Sequence, residues 1–262
     1  MDEVRIERNE SGLIRVTLNR PERRNALSIE MLDALADLFE SLEGDPQARA
    51  LLLDAKGPSF CAGADASHRR DGVPSTALET VERLGAHAQR MILALYECRL
   101  PTVAAIAGAA VGGGLDLALA CDIRLAGPGA VFSESYVQLG LVPGLGGCFL
   151  LPRVVGPSRA LEMLLTGERL DAHEAARAGL VSRVVEDDHL SEVATALAER
   201  LAAGPPVAMG IIKRAVREAR LQSLAEHLRS IANDVAIAQS TDDAKEGVAA
   251  FFDKRPPSFT GK

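Results

Sequence analysis

Apolar and polar residues alternate along the start of the chain. Val4 and Ile6 mark one arm, and Ile14, Val16 and Leu18 the other, with Arg15 and Thr17 between them. The run Asn9-Glu10-Ser11-Gly12 separates the arms, so a period of two on either side of a turn predicts a β-hairpin. From Ser28 the period changes. Leu32, Leu35, Ala36 and Phe39 recur at helical spacing, with Ser28 placed to cap the first turn and Gly44-Asp45-Pro46 to end the helix. A short buried strand is expected over Ala50 to Asp54, and a helix from about Leu78 to Cys98. Pro101 opens another apolar strand, Thr102 to Ile106, which runs through a glycine-rich turn into a helix over Leu115 to Cys121. Short strand and helix signals continue to about Val185.

Strands alternating with helices predict an α/β fold of stacked βα units, rather than a sandwich or a bundle. No exact sequence repeat is present, although such units can build a solenoid-like core. After Val185 only helices are expected: Leu190 to Ala203, Val207 to Arg220, Leu221 to Gln239 and Asp242 to Phe252, with a break at Gly204-Pro205-Pro206. The chain is accordingly divided into a core of residues 1–189 and a helical lobe of residues 190–262. Such a lobe cannot hide all its apolar faces alone, and contacts between copies are their natural use.

Composition narrows the partners. A chain of 262 residues, 47% hydrophobic and 25% charged, can bury one large core with an appended lobe. Trp is absent and aromatic residues make only 3%, so the core is built from Ala, Val, Leu and Ile, and base-stacking platforms are excluded. A net charge of -7 and a pI near 5.4 repel polyanions, so nucleic acid is not an expected partner. An anionic ligand must meet local cations: Arg20 with Arg23 and Arg24, Arg69 with Arg70, or Lys254 with Arg255. Each cluster also reads as solvated surface. Cys61, Cys98, Cys121 and Cys148 form no CxxC pair and have no His at zinc-ligand spacing, which suits reduced thiols and no metal. The opening Met1-Asp2-Glu3-Val4 lacks the pattern of a signal or transit peptide, and no apolar run reaches the roughly 18 residues of a membrane span. A cytoplasmic protein without membrane contact is expected.

Two turns carry the candidate chemistry. One is Phe60-Cys61-Ala62-Gly63-Ala64-Asp65; the other runs from Gly108 through Gly112-Gly113-Gly114 to Asp116. Consecutive glycines entering a helix let the backbone approach a ligand and aim unpaired N–H donors at it. The spacing is neither GxGxxG nor a Walker loop, which disfavours nucleotide binding in those styles. Tight strand-to-helix packing is the competing explanation of the triple glycine.

Together with further stretches, these turns resemble the crotonase (enoyl-CoA hydratase/isomerase) family from about Ile14 to the C-terminus. The matching pieces are Asn19 to Leu27, Phe60 to Asp65, Gly112 to Asp122, Leu139 to Pro143, Gly146-Gly147, Leu165 to Gly167, Glu174-Ala175, Gly179 to Val181, and Glu246 to Arg255. The resemblance implies a spiral of ββα units with a helical C-terminal oligomerisation lobe, assembled as a homotrimer or a hexamer. It implies an acyl-CoA substrate, with coenzyme A part of that substrate and no separate cofactor or metal. The amides of Ala64 and Gly113 would hold the thioester oxygen and stabilise an enolate, an arrangement in which one lost donor costs roughly 3 kcal/mol of barrier. Arg24, Ala26, Ala62 and Asp65 would lie along the coenzyme A moiety, and a neighbouring subunit would offer Phe251 and Lys254.

The resemblance also marks departures. The two glutamates of a typical hydratase, which position a water and move its protons, fall at Asp116 and Tyr136 here. Some isomerases of the family pair an aspartate at position 116 with an acid at position 136 or 144, but this chain has Tyr136 and Gly144. Asp116 is left as the acid/base candidate, although an acid in the first turn of a helix is also favoured by the helix dipole. Glu134 shares a face with Tyr136 if the segment is extended and diverges from it if helical. His68 and Cys61 follow or adjoin the first turn, and are explained equally by a polar loop and by packing. Three activities remain open. One is an isomerase, weak hydratase or other lyase using Asp116. The second is a thioester decarboxylase or hydrolase relying on the amides and Tyr136. The third is a non-catalytic acyl-CoA binding protein.

Overall fold

The computed structural model describes residues 3–65 and 76–262. His68, Arg69 and Arg70 lie outside the described residues. The N-terminal hairpin forms as expected: β1 (Val4–Arg8) pairs antiparallel with β2 (Leu13–Leu18). Helix α1 (Ile29–Ser41) starts where the Ser28 side chain accepts the Met31 N–H, and it buries Met31, Leu32, Leu35, Ala36 and Phe39. Three ββα turns follow. The first is β3 (Ala50–Ala55), β4 (Ser59–Cys61) and a helix in two parts, α2 (Ala77–Arg83) and α3 (Arg90–Glu97), joined through a π-helical segment, Leu84–Gln89. The second is β5 (Thr102–Ile106), β6 (Ala109–Val111) and α4 (Gly113–Ala120). The third is β7 (Ile123–Ala126), β8 (Val131–Ser133), a 3-10 turn over Ser135–Leu139, and α5 (Gly147–Val155) with α6 (Pro157–Thr166). Then come β9 (Leu170–Asp171), α7 (Ala172–Arg177) and β10 (Arg183–Val184).

The first strand of each turn enters a six-stranded sheet of order β1-β2-β3-β5-β7-β10, parallel from β2 onward; the second enters a four-stranded sheet, β4-β6-β8-β9. This is the spiral of ββα units that the resemblance implied. The period of two sorts the six-stranded sheet's side chains. Leu51, Leu53, Ala104 and Ile106 face the main core, while Ala50, Leu52, Val103 and Ala105 face the other side. That second face is covered by Leu190, Ala194, Leu197 and Ala198 of α8 (Asp187–Ala202). Helix α8 therefore lies on the core sheet, although the expected boundary at residue 190 groups it with the lobe. The remaining helices, α9 (Pro206–Glu218), α10 (Leu224–Ser240) and α11 (Asp242–Asp253), form the C-terminal lobe. Lys213 and Arg217 of α9 anchor it to the core through Asp122, at 2.7 and 2.8 Å.

Candidate active site

The two glycine-bearing turns sit at corresponding places in consecutive ββα units, and pairing of β4 with β6 brings them side by side. Gly112 adopts φ +53, ψ -122, a conformation open essentially to glycine alone. Its N–H is donated to the Ser133 carbonyl at 2.8 Å, which holds the start of α4 against β8. At Gly114 a Cβ would lie 2.2 Å from the Cys61 carbonyl oxygen, so here the close-packing explanation of the glycine holds. Gly113 stands between them as the first helical residue. The carbonyl of Gly112 receives the N–H groups of Leu115 and Asp116, while the Gly113 amide, like any at this position, has no acceptor within its own helix.

The first turn is held by a separate set of bonds. Leu27 donates to the Gly63 carbonyl at 2.8 Å and accepts from Asp65 at 3.0 Å; Ala62 donates to Arg24 at 3.0 Å. Among the described residues, the Ala64 amide is donated to no backbone carbonyl. A Cβ at Gly113 would stand 3.6 Å from the Ala64 amide nitrogen and 3.5 Å from the Tyr136 hydroxyl. The amides of residues 64 and 113, the phenol and the N-terminus of α4 thus meet in one place, which suits a ligand oxygen that gains negative charge.

Asp116 and Tyr136 are also brought together. The phenol donates to Asp116 Oδ2 at 2.7 Å. Asp116 is fully buried, and burial holds its carboxyl well above the ordinary carboxylate range, partly offset by the hydrogen bond from Tyr136. Burial and then the Asp116 charge push the Tyr136 phenol above its ordinary value, so it stays protonated. Glu134 is buried beside Asp116. The backbone there is neither extended nor helical, with φ -94 and ψ 64, which lets Glu134 and Tyr136 reach Asp116 together. The Cys61 thiol is pushed up to about 12 by burial and accepts the Gly63 N–H, as a packing residue would.

The residues expected along coenzyme A divide. Arg24 and Ala62 are exposed and tied to each other through the backbone, and Ala26 is half-buried beside them. Asp65 is engaged within the fold, its carboxylate paired with Arg20 at 3.0 Å. Arg20 also donates to the Ala26 carbonyl and pairs with Glu3, so of the Arg20, Arg23 and Arg24 cluster only the last two are exposed. Phe251 and Lys254 stand exposed at the end of α11. A cavity of about 910 Å³ lies elsewhere, between α9 and the core, lined by Arg49, Tyr96, Arg99, Phe149 and Arg217 among others. Its cations are already engaged: Arg217 and Lys213 by Asp122, and Arg99 by the carbonyls of Leu42, Asp45 and Ala48.

An α/β spiral in which two neighbouring turns present backbone amides beside a buried acid defines a class of fold and site, and comparison with known proteins places the chain within it. Residues 8–262 match the family model for enoyl-CoA hydratase/isomerase. The chain is 37% identical to the 1,2-epoxyphenylacetyl-CoA isomerase of Escherichia coli, over 97% of each protein. It is 39% identical to a protein of Arabidopsis thaliana named "Probable enoyl-CoA hydratase 2, mitochondrial", over 98% of this chain and 84% of that one. The crystal structure of an enoyl-CoA hydratase from Bacillus anthracis superposes with a TM-score of 0.93 at 31% identity, covering all of both chains. The chain belongs to the enoyl-CoA hydratase/isomerase family, the crotonases, whose substrates are acyl-CoA thioesters.

Proposed function

We propose that the protein is an acyl-CoA isomerase or lyase that forms an enolate against the amides of Ala64 and Gly113, with Asp116 moving the proton. The observation that carries this is the single hydrogen-bonded unit Tyr136–Asp116, at 2.7 Å, beside those two amides. A carboxylate held above its ordinary range is suited to taking a proton from carbon and returning it. Tyr136, a protonated phenol, does not replace the second carboxylate with which a hydratase positions water. One carboxylate can remove a proton at one carbon of an enolate and return it at another without water entering, which favours isomerisation. The name of the E. coli relative, an isomerase of an acyl-CoA, agrees with that direction. Arg24, Ala26 and Ala62 would border the coenzyme, with Asp65 holding the turn through Arg20, and Phe251 and Lys254 would come from a neighbouring copy in a trimer or hexamer. No described helix is long and apolar enough to cross a membrane.

Turnover of a 3-enoyl-CoA against hydration of the matching 2-enoyl-CoA tests the reading. Conversion of the 3-enoyl thioester at a rate well above hydration is expected. Release of free coenzyme A instead assigns a hydrolase, loss of carbon dioxide from a carboxyacyl-CoA a decarboxylase, and saturable binding without any product a carrier.

A further inference from the structure

Behind Asp116 lies a second carboxylate for which the isomerase reading has no use. Glu134 is fully buried, and among the described residues neither of its oxygens meets a donor; Asp116 Oδ1 lacks one too. The oxygens converge on one spot, because a Cβ at Gly147 would lie 2.5 Å from Asp116 Oδ1 and 3.1 Å from Glu134 Oε1. Among the described residues, no cation offsets them. Among the described residues, the titratable groups acting on the pair are Tyr136 from the 3-10 turn, Cys61 from β4 through Tyr136, and Cys148 from α5, all of them acids. Two carboxylates in such a place cannot both be ionised, since each charge would lose its water and face the other.

We infer that Glu134 is a positioning residue that carries the pair's proton and donates it as a hydrogen bond to Asp116 Oδ1. The proton sits on Glu134 because Asp116 already accepts from Tyr136 on its other oxygen, whereas Glu134 has no other donor. Asp116 is thereby held from two sides, Glu134 fixing Oδ1 and Tyr136 fixing Oδ2. The Glu134 donor also keeps Asp116 ionised over a range where burial alone would protonate it. Glu134 keeps its proton throughout; the proton moved in turnover is accepted and returned by Asp116. The absence of a side chain at Gly147 leaves room for the two to meet. This rests on the reading of Asp116 as the acid/base of the site.

The test uses the full-length protein with Glu134→Gln, whose amide still donates, and Glu134→Leu, which fills the space without a donor. Infrared difference spectra in deuterium oxide at pH 8 read the protonated carboxyl directly, and solvent-deuterium incorporation at C2 of butanoyl-CoA reads Asp116 as a function of pH. A protonated-carboxyl band is expected in the wild type and lost in Glu134→Gln, while the acidic limb of the exchange profile stays in place. In Glu134→Leu the limb should move to higher pH by about one unit, a roughly tenfold loss of rate on its acid side. Identical wild-type and Glu134→Gln spectra would overturn the inference, as would a Glu134→Leu limb that does not move. If Glu134→Leu fails to fold, the Glu134→Gln band and limb still decide it. If the wild type exchanges no deuterium at all, the acid/base reading of Asp116 falls, and the infrared band still reports which residue holds the proton.

Discussion

The Tyr136 hydroxyl is donated to the buried Asp116 carboxylate at 2.7 Å. Removing that hydroxyl in Tyr136→Phe takes away a hydrogen bond to the carboxylate proposed as acid/base, so a loss of about 1.5–3 kcal/mol is expected, roughly a 10- to 150-fold fall in turnover. Asp116, with one donor fewer, should also titrate higher, moving the acidic limb of the rate profile to higher pH. Glu134 leaves a mark on stability. Its folded value is raised by burial and the Asp116 charge, so its share of stability is whole below the ordinary glutamate range and declines as pH rises above it. Over that range the unfolded chain has lost a proton that the folded one keeps, a slope of about 1.4 kcal/mol per pH unit. Glu134→Gln has no such slope. Denaturant melts of the two proteins at equal concentration should agree near pH 4 and diverge above pH 6, with the variant the more stable; parallel curves would mean Glu134 is ionised in the fold. Asp116 and Tyr136 were legible in the sequence because the glycine run and the family pattern fix their positions. The place of Glu134 was not, because it depends on a backbone kink between β8 and the 3-10 turn that neither periodicity describes.

At the scale of elements, the site depends on how α4 begins. Gly114 packs against the Cys61 carbonyl so closely that a methyl group there must push the helix off β4, and the Gly113 amide moves with it. Gly114→Ala is therefore expected to lower stability by about 1–3 kcal/mol. Turnover should fall further than the melting shift explains; retention of full turnover would show that the amide position is not critical. Most elements follow from local pattern: Ser28 caps α1, Pro101 precedes β5, and the alternation of Leu51 and Leu53 with Leu52 sorts the two faces of the sheet. The π-helical segment over Leu84–Gln89 does not, since its residues keep helical character and only the count of residues per turn changes. Nor does the Arg20–Asp65 pair, formed between groups 45 residues apart. That contact ties Asp65, the residue after Ala64, to the segment that follows β2.

For the whole molecule, the C-terminal lobe leaves much apolar surface uncovered. Leu224, Leu228, Phe251 and Phe252 are all more than half exposed in the single chain. A trimer or hexamer is the expected solution form, and sedimentation showing only monomer at micromolar concentration would contradict it. The net charge of -7 makes coenzyme A binding depend on local cations such as Arg24 and Lys254, both exposed, so affinity should weaken as salt rises. Calorimetry at two ionic strengths checks this, and an affinity indifferent to salt counts against those residues. The most direct test of the account as a whole is Asp116→Asn, an isosteric change away from the exposed cations, assayed on a 3-enoyl-CoA alongside coenzyme A binding. Turnover should fall by roughly a hundred- to ten-thousand-fold while the affinity for coenzyme A stays within about twofold of the wild type. An Asp116→Asn protein that converts the thioester at the full rate would contradict it.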